Sequence, residues 1–537
     1  MELAFIDIFC VLLYLVGIAA FGMWISRGVH SGTDLFLAGR SLPWWAVGTS
    51  LVVSDIGAKD MVGLADDGYR FGLVMANFDL IGCIFPVLIA AFVFMPFLWL
   101  AGVYTIPEYL GMRYNQAVRF CFAIVWALFM IGTLGVIFVS AGTMFENLLG
   151  WNFMVAVMLT AVVVGLYTAF GGLKAVVYTD FVSCIVLIVG AVLICALGLA
   201  EVGGWSVLRE RIASLPNTQH HFDLLRPADD PDLPWPAVLL GLGFVLGPAY
   251  WIGNQAIVQR TFGTRSQAEA RASYVFCAAI KIVFPFLLVL PGMIALALFH
   301  DKIGSHTEGA WKSGSVLPEV VKLLPPGVLG IVLGAFFAGI MSNLDSYVNS
   351  ASTLCVTDIY RPIINPRATD QQMLWIGRAL IVVFLVLGVI AAPIIRYRFA
   401  SVFEAFQTFL SLFQGSLLAS LLLGMLTRRS TQWGGLAGFV GGVVVAFWLQ
   451  RSGTLYLWVA WWSFVAALAS NILVSLFTKP YDDHRLRGLV CWLPPKQEPS
   501  PLAGSGASAG AVVREGVGSA TTPGSSDTSP GLSGASS

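Results

Sequence analysis

Residues 51–79 read LVVSDIGAKDMVGLADDGYRFGLVMANFD. The stretch is apolar enough to be a membrane helix, yet it carries Asp55, Lys59, Asp60, Asp66 and Asp67, with glycines at 57, 63 and 68. Each such charge would cost about 2.5–3.5 kcal/mol at the centre of a bilayer. Charges and broken backbone are tolerated at membrane depth where they are buried in protein or line a wet cavity. The stretch therefore predicts a discontinuous helix at a polar site, within a span from about Trp44 to Ala65. The competing reading is a helix that ends near Ser54 and runs into a surface loop. The apolar continuation through Met61, Val62 and Leu64 argues against it.

The rest of the chain sets that stretch in a membrane. Of 537 residues, 57% are hydrophobic and 11% charged, where soluble domains run near 25% charged. An integral membrane protein with many spans follows, with the lipid bilayer as its solvent. The formal net charge is zero, so no nucleic-acid footprint exists. Seven of the eight cysteines sit in apolar runs, all but Cys491. No pair has zinc-ligand or disulfide-framework spacing, so they read as core fillers. The six histidines cluster at no span centre. With no metal-ligand helix pair and no nucleophile motif, nothing points to an enzyme.

Apolar runs fall at about 3–25, 44–65, 73–101, 117–148, 152–170, 176–200, 236–258, 272–299, 328–357, 372–395, 400–425, 433–450 and 454–477. Each can cross roughly 30 Å of hydrocarbon, which makes about thirteen spans. The first run opens with Glu2 and Asp7 and lacks a small-residue cleavage site, so it reads as a span rather than a signal peptide. Alternating the loops gives one side seventeen Lys and Arg residues, Arg113, Arg260, Arg428 and Arg429 among them, and the short loops of the other side four, Arg70, Arg396, Arg398 and Arg451. The positive-inside rule then puts the N-terminus outside and the C-terminus in the cytoplasm of a plasma (inner) membrane. The stretch after Pro495, rich in Ser, Gly, Ala and Thr, cannot bury a core and is expected to be disordered.

Internal symmetry locates the site. The second span is interrupted by SDIGAKD, and five spans later 236–258 is interrupted by GPAYWIGNQ. Interrupted segments at matching places in two halves are the sequence mark of a transporter site. Because five is odd, the two units have opposite topology. The expected organisation is a first helix and cytoplasmic connector (1–43), a five-helix repeat (44–200), an extracellular loop (201–235), a second repeat (236–425), two additional helices (426–480) and a cytoplasmic disordered tail (481–537).

From about Asp34 to Tyr360 the chain resembles the sodium:solute symporter family, most closely its sodium/sugar cotransporter branch. The matching stretches are FLAGRSLPWW (36–45), VGLADDGYRFGL (62–73), VYTIPEYL (103–110), GGLKAVVYTD (171–180), YWIGNQAIVQR (250–260) and SNLDSYVNSASTLCVTDIY (342–360). Weaker similarity runs to about residue 450. The resemblance implies an all-α membrane protein with a 5+5 inverted-repeat (LeuT-like) core and alternating access driven by sodium as coupling ion. It places sodium at the carbonyls of Val53, Ile56 and Gly339 and the side chains of Ser342 and Asn343. Gly339 and Ser342, three apart, share a helix face. Asn343 stands where a serine is usual, and Asp55 where asparagine is common. Asp55, Asp180 and Asp345 are candidates for the ion path. The competing readings pair Asp55 and Asp345 with Lys59 or with helix ends, and give Asp180 a capping or packing role.

For the solute, planar polar groups against an aromatic platform suit vicinal hydroxyls. The candidates are Asp60, Asp79, Tyr250, Lys281 and Gln407. By resemblance, Lys281, Gln407 and Tyr250 match the sugar-transporter pattern directly. Asp79 replaces glutamate, Asp60 replaces glutamine, and Gly247 replaces asparagine. Against these stand an ion pair of Lys281 with Asp79 or Asp60, an interhelical hydrogen bond for Gln407 and ordinary packing for Tyr250. The small-molecule solute is expected to be a monosaccharide or polyol. The alternatives are another polar or cationic solute on the same fold, or a sugar-gated sensor or channel without coupled flux.

Overall fold

The computed structural model describes residues 3–27, 31–304, 314–399 and 401–493. The expected disordered tail lies outside the described residues from 494 onward. Within residues 481–493, assigned to that tail above, two side chains are instead packed against the helices. Leu486 and Val490 are fully buried, and the Cys491 N–H donates to the Met425 carbonyl at 2.9 Å.

Among the described residues eleven helices are long and apolar enough to cross a membrane. The two missing from the expected thirteen have local causes. The span over 44–71 is cut into α2 (Trp44–Asp55) and α3 (Ala58–Phe71). Helix α2 is too short to count alone, and α3 runs on into α4 (residues 72–100). The run at 152–170 appears as the shorter α6 (Phe153–Gly165). The remaining spans are α1 (Phe5–Ser26), α5 (Gln116–Leu149), α7 (Gly172–Val202) and α8 (Trp235–Gly253). After the short α9 (Gln255–Phe262) come α10 (Gln267–Ile303), α11 (Val328–Ile364), α12 (Asp370–Arg398), α13 (Val402–Leu426), α14 (Gln432–Arg451) and α15 (Tyr456–Phe477).

Burial sorts these helices into an inner and an outer set. Along its most apolar window α11 is 83% buried and α13 72%, whereas α1 is 11% buried. Helix α1 turns Phe5, Phe9, Leu13 and Val16 outward, as a lipid-facing helix must. Its one buried acid explains itself: Asp7 accepts from the N–H groups of Gly327 and Gly330 at 2.7 and 2.8 Å. It thereby satisfies orphan donors at the N-terminus of α11.

Irregular backbone concentrates on the inner helices. In α4 two π turns, Leu80–Ile84 and Ala90–Phe94, are each followed by a proline, Pro86 or Pro96. A proline has no N–H to continue the ladder. In α10 the helix loosens after Lys281, where Pro285 cannot donate to the Lys281 carbonyl. Segment 201–235 straps the C-terminal end of α3. The Leu73 N–H donates to the His221 carbonyl at 2.8 Å, and Arg226 Nη2 donates to the Phe71 carbonyl at 2.7 Å. Gly72 (φ 79°) sits at this junction, where a Cβ would fall 2.1 Å from the His221 oxygen.

A candidate ion and solute site at two broken helices

The first break is a matter of one hydrogen bond. In a continuous helix the Gly57 N–H would close on the Val53 carbonyl. Ile56 instead adopts an extended conformation (φ −91°, ψ 115°), and the Gly57 N–H donates to Asp60 Oδ2 at 2.9 Å. Asp60 thus caps α3 as in a capping box, and the Val53 carbonyl loses its helical partner. It is met by α11: Asn343 Nδ2 donates to it at 2.8 Å and Ser342 Oγ at 3.2 Å. Asn343 Oδ1 is buried with no partner among the described residues. The approach is close enough that a Cβ on Gly57 would lie 2.3 Å from the Asn343 side chain. A Cβ built on Gly339 would lie 3.1 Å from the Ala58 nitrogen. Val53, Gly339, Ser342 and Asn343 therefore converge, with Ile56 at the break itself. A surface loop after Ser54 is excluded, because the side chains from Ala58 to Tyr69 are all buried.

A second network joins the same elements. Ser50 Oγ donates to Asp180 Oδ2 at 2.5 Å, and Arg260 Nε donates to Ser50 Oγ at 2.7 Å. The Arg260 guanidinium lies 3.6 Å from Asp180 and also donates to Ser346 Oγ. Ser346 Oγ in turn donates to Ser54 Oγ at 3.1 Å. Arg260 is only 1% exposed, so it is not the cytoplasmic loop charge counted above. Arg113, fully buried, spends its Nε on the Gly424 carbonyl at 2.8 Å. Asp180 lies in the middle of α7, so a capping role does not apply. Asp345 accepts from Thr168 Oγ1, not from Lys59. The signal for Arg260 was available in the sequence: QAIVQR continues as α9 directly after the second break, as AKDMV does after the first. That second break falls at Asn254 (φ −70°, ψ 118°), whose Oδ1 caps the Ala256 N–H at 3.0 Å.

Beside the first break lies a cavity of about 60 Å³ whose wall includes Asp55, Asp60, Asp79, Tyr250, Trp251 and Gln407. Lys281 Nζ lies 2.7 Å from Asp79 Oδ1 and contacts Asp55 Oδ2 as well. The Lys281 ion pair is thus real, but Asp55 replaces Asp60 in it. Lys59 takes Asp60, at 2.8 and 2.6 Å to its two oxygens. Asp55, Asp79 and Cys83 are close enough together to hold a metal, but Lys281 already bridges the two carboxylates. Tyr250 Oη lies 3.2 Å from Tyr347 Oη, a partner sequence reading missed. Gln407, 7% exposed, makes no hydrogen bond among the described residues, so the interhelical bond weighed above is not formed. The missing amide at 247 has a steric cause: a Cβ on Gly247 would lie 2.3 Å from the Gly82 carbonyl oxygen in the first π turn of α4.

The sequence signature of the sodium:solute symporter family matches residues 35–442. The chain belongs to the sodium:solute symporter family. It is 32% identical to a sodium/glucose cotransporter of Vibrio parahaemolyticus, over 83% of this chain and 86% of that one. It is 30% identical to sodium/glucose cotransporter 1 of Oryctolagus cuniculus, over 90% and 81% respectively. A substrate-bound, outward-open structure of a Na+-coupled sialic acid symporter superimposes with a TM-score of 0.78, at 20% identity, over 90% of this chain and all of the other. The inward-facing transporter Mhp1 superimposes with a TM-score of 0.52 over 83% and 94%. The fold of this symporter is therefore all-α and LeuT-like, and the protein is an integral membrane transporter.

Proposed function

We propose that this symporter couples the entry of sodium to that of a monosaccharide or polyol by alternating access, with no bond made or broken. The observation that carries the reading is the Val53 carbonyl, released from its helix and facing Ser342 and Asn343 of α11, one turn from a polar cavity. Sodium would bind the carbonyls of Val53, Ile56 and Gly339 with Ser342 and Asn343. To do so it displaces the two protein donors now on the Val53 oxygen, and the orphan Asn343 Oδ1 supplies an acceptor. Binding there ties α2 and α3 to α11. Because Asp55 and Asp60 flank the same break, the ion and the cavity wall are set together. By linkage, sodium then raises solute affinity by the factor that solute raises sodium affinity. A membrane potential contributes about 2.3 kcal/mol per charge per 100 mV. The cavity is well below the roughly 300–1,000 Å³ usual for ligand pockets, so solute entry requires the helices around it to part. Asp55, Asp180 and Asp345 would lie along the ion's route in this reading.

Uptake of labelled glucose or myo-inositol into proteoliposomes, with and without an inward sodium gradient, tests it. Accumulation above equilibrium only with the gradient is expected. Uptake indifferent to sodium removes the coupling, and current without accumulation favours a sugar-gated channel. Replacing Lys281 by Ala releases Asp55 and Asp79 from their shared cation. Solute affinity is expected to change at least tenfold, whereas unchanged affinity would place the solute elsewhere.

A further inference from the structure

The proposed solute cavity has an unusual charge arrangement. Its three carboxylates reach the cavity, with side-chain exposures of 18% for Asp55, 10% for Asp79 and 9% for Asp60. The two ammonium groups that pair with them do not: Lys281 is 0% and Lys59 1% exposed. Lys281 lies over the Trp251 ring at 5.4 Å and Lys59 over the Phe406 ring at 4.2 Å. A solute in the cavity therefore meets carboxylate oxygens, which only accept hydrogen bonds. Three carboxylates against two ammonium groups leave one negative charge over. Two of those carboxylates, Asp55 and Asp60, occupy positions that are neutral amides in the sugar-transporter pattern the chain resembles. Gln407, 93% buried by its 7% exposure and without a hydrogen bond among the described residues, lines the cavity and offers both a donor and an acceptor for a ring hydroxyl.

We infer that the solute is a cationic sugar, a monosaccharide bearing a protonated primary amine such as a 2-amino-2-deoxyhexose. This rests on the reading of the cavity as the solute site. Its ammonium group donates to Asp55 Oδ1 and Asp79 Oδ2, the oxygens that Lys281 does not take, and cancels the remaining charge, and hydrogen bonds with both partners charged are the strong ones. The Trp251 and Tyr250 rings border the same space and favour a cation over their faces. The hydroxyls are left to Gln407 and Tyr250. An anionic sugar meets only like charge.

The test is equilibrium binding in detergent, in saturating sodium, of glucosamine, glucose, N-acetylglucosamine and glucuronate, alongside sodium-driven uptake of the first two. Glucosamine is expected to bind at least tenfold more tightly than glucose, and glucuronate not to bind. The preference should shrink as pH rises and the amine loses its proton. In Asp55→Asn the ratio of glucosamine to glucose affinity is expected to approach one. The wild-type pH series carries the test without that variant. Glucose binding as tightly as glucosamine, or a preference unchanged on deprotonation, overturns the inference. If sodium drives glucose uptake with no advantage for the amine, only this inference falls. If sodium drives neither, the proposed function falls with it.

Discussion

At the scale of single residues, the site turns on which groups claim the Val53 oxygen. Gly57 gives up that acceptor because Asp60 competes for its N–H, and Asn343 reaches where a shorter serine would not. The amide does two jobs there: its nitrogen holds the carbonyl, and its oxygen is left buried without a donor, a costly state for a neutral acceptor. A cation beside it would remove the cost. Asn343→Leu keeps the bulk and deletes both groups. Its sodium concentration for half-maximal uptake is expected to rise at least tenfold, about 1.4 kcal/mol of ion affinity. Solute binding measured without sodium should change little. A sodium dependence identical to wild type would remove Asn343 from the ion site. The break was legible in the sequence because charges and glycines stood in an apolar run. The pairing was not. Which carboxylate Lys281 would take, Asp55 or Asp60, depends on whether the helix bends before or after Ile56, and no local pattern fixes that.

Between elements, one tie near the site is the buried link from α7 to α9 through Asp180 and Arg260. Arg260 looked like a loop charge because a basic residue near a span end is normally a topology signal. Only the extension of α9 beyond the break carries it inward. Removing one member of a buried ion pair leaves the other charge unpaired, at a cost of about 3–5 kcal/mol. Arg260→Ala is therefore expected to lower the melting temperature in detergent markedly, and Arg260→Ala with Asp180→Asn to regain much of the loss. A double variant no better than the single one would mean that the pair is not what holds these helices together. The strap over 201–235 responds to pH instead. Burial alone would raise the Asp230 pKa. The N–H groups of Leu233 and Asp232, and Arg226 beside it, outweigh that and hold it below the usual aspartate value. A depressed folded pKa gives stability that is complete above the unfolded value. It is lost as pH falls from about 4 through the lowered folded value. Arg226 also donates to Phe71 at the end of α3, so protonating Asp230 loosens the anchor of the strap. Backbone hydrogen exchange in 226–235 should quicken below pH 4 relative to α11. No change there would show that Asp230 does not hold the strap.

Over the whole molecule, the span pattern and its symmetry could be read from the chain because lipid demands long apolar runs and two matched interruptions stand out against them. What could not be read is how tightly the inner helices approach. Gly247 against Gly82 and Gly57 against Asn343 are contacts between residues distant in sequence. The same view bears on the expected orientation. Of the seventeen basic residues counted on one side, Arg113 and Arg260 are buried among helices and say little about topology. Arg428 and Arg429, after α13, still stand at an exposed chain turn, against Arg70, Arg396, Arg398 and Arg451 on the other face. The rule for basic loops therefore continues to favour a cytoplasmic turn between α13 and α14. In a variant stripped of reactive cysteines, Arg429→Cys should be labelled by a membrane-impermeant maleimide only in inverted vesicles, and Arg451→Cys only in intact cells. The opposite pattern would turn the molecule over in the membrane. The direction of uptake gives no second check, because a coupled symporter carries its solute with the sodium gradient whichever way up it lies.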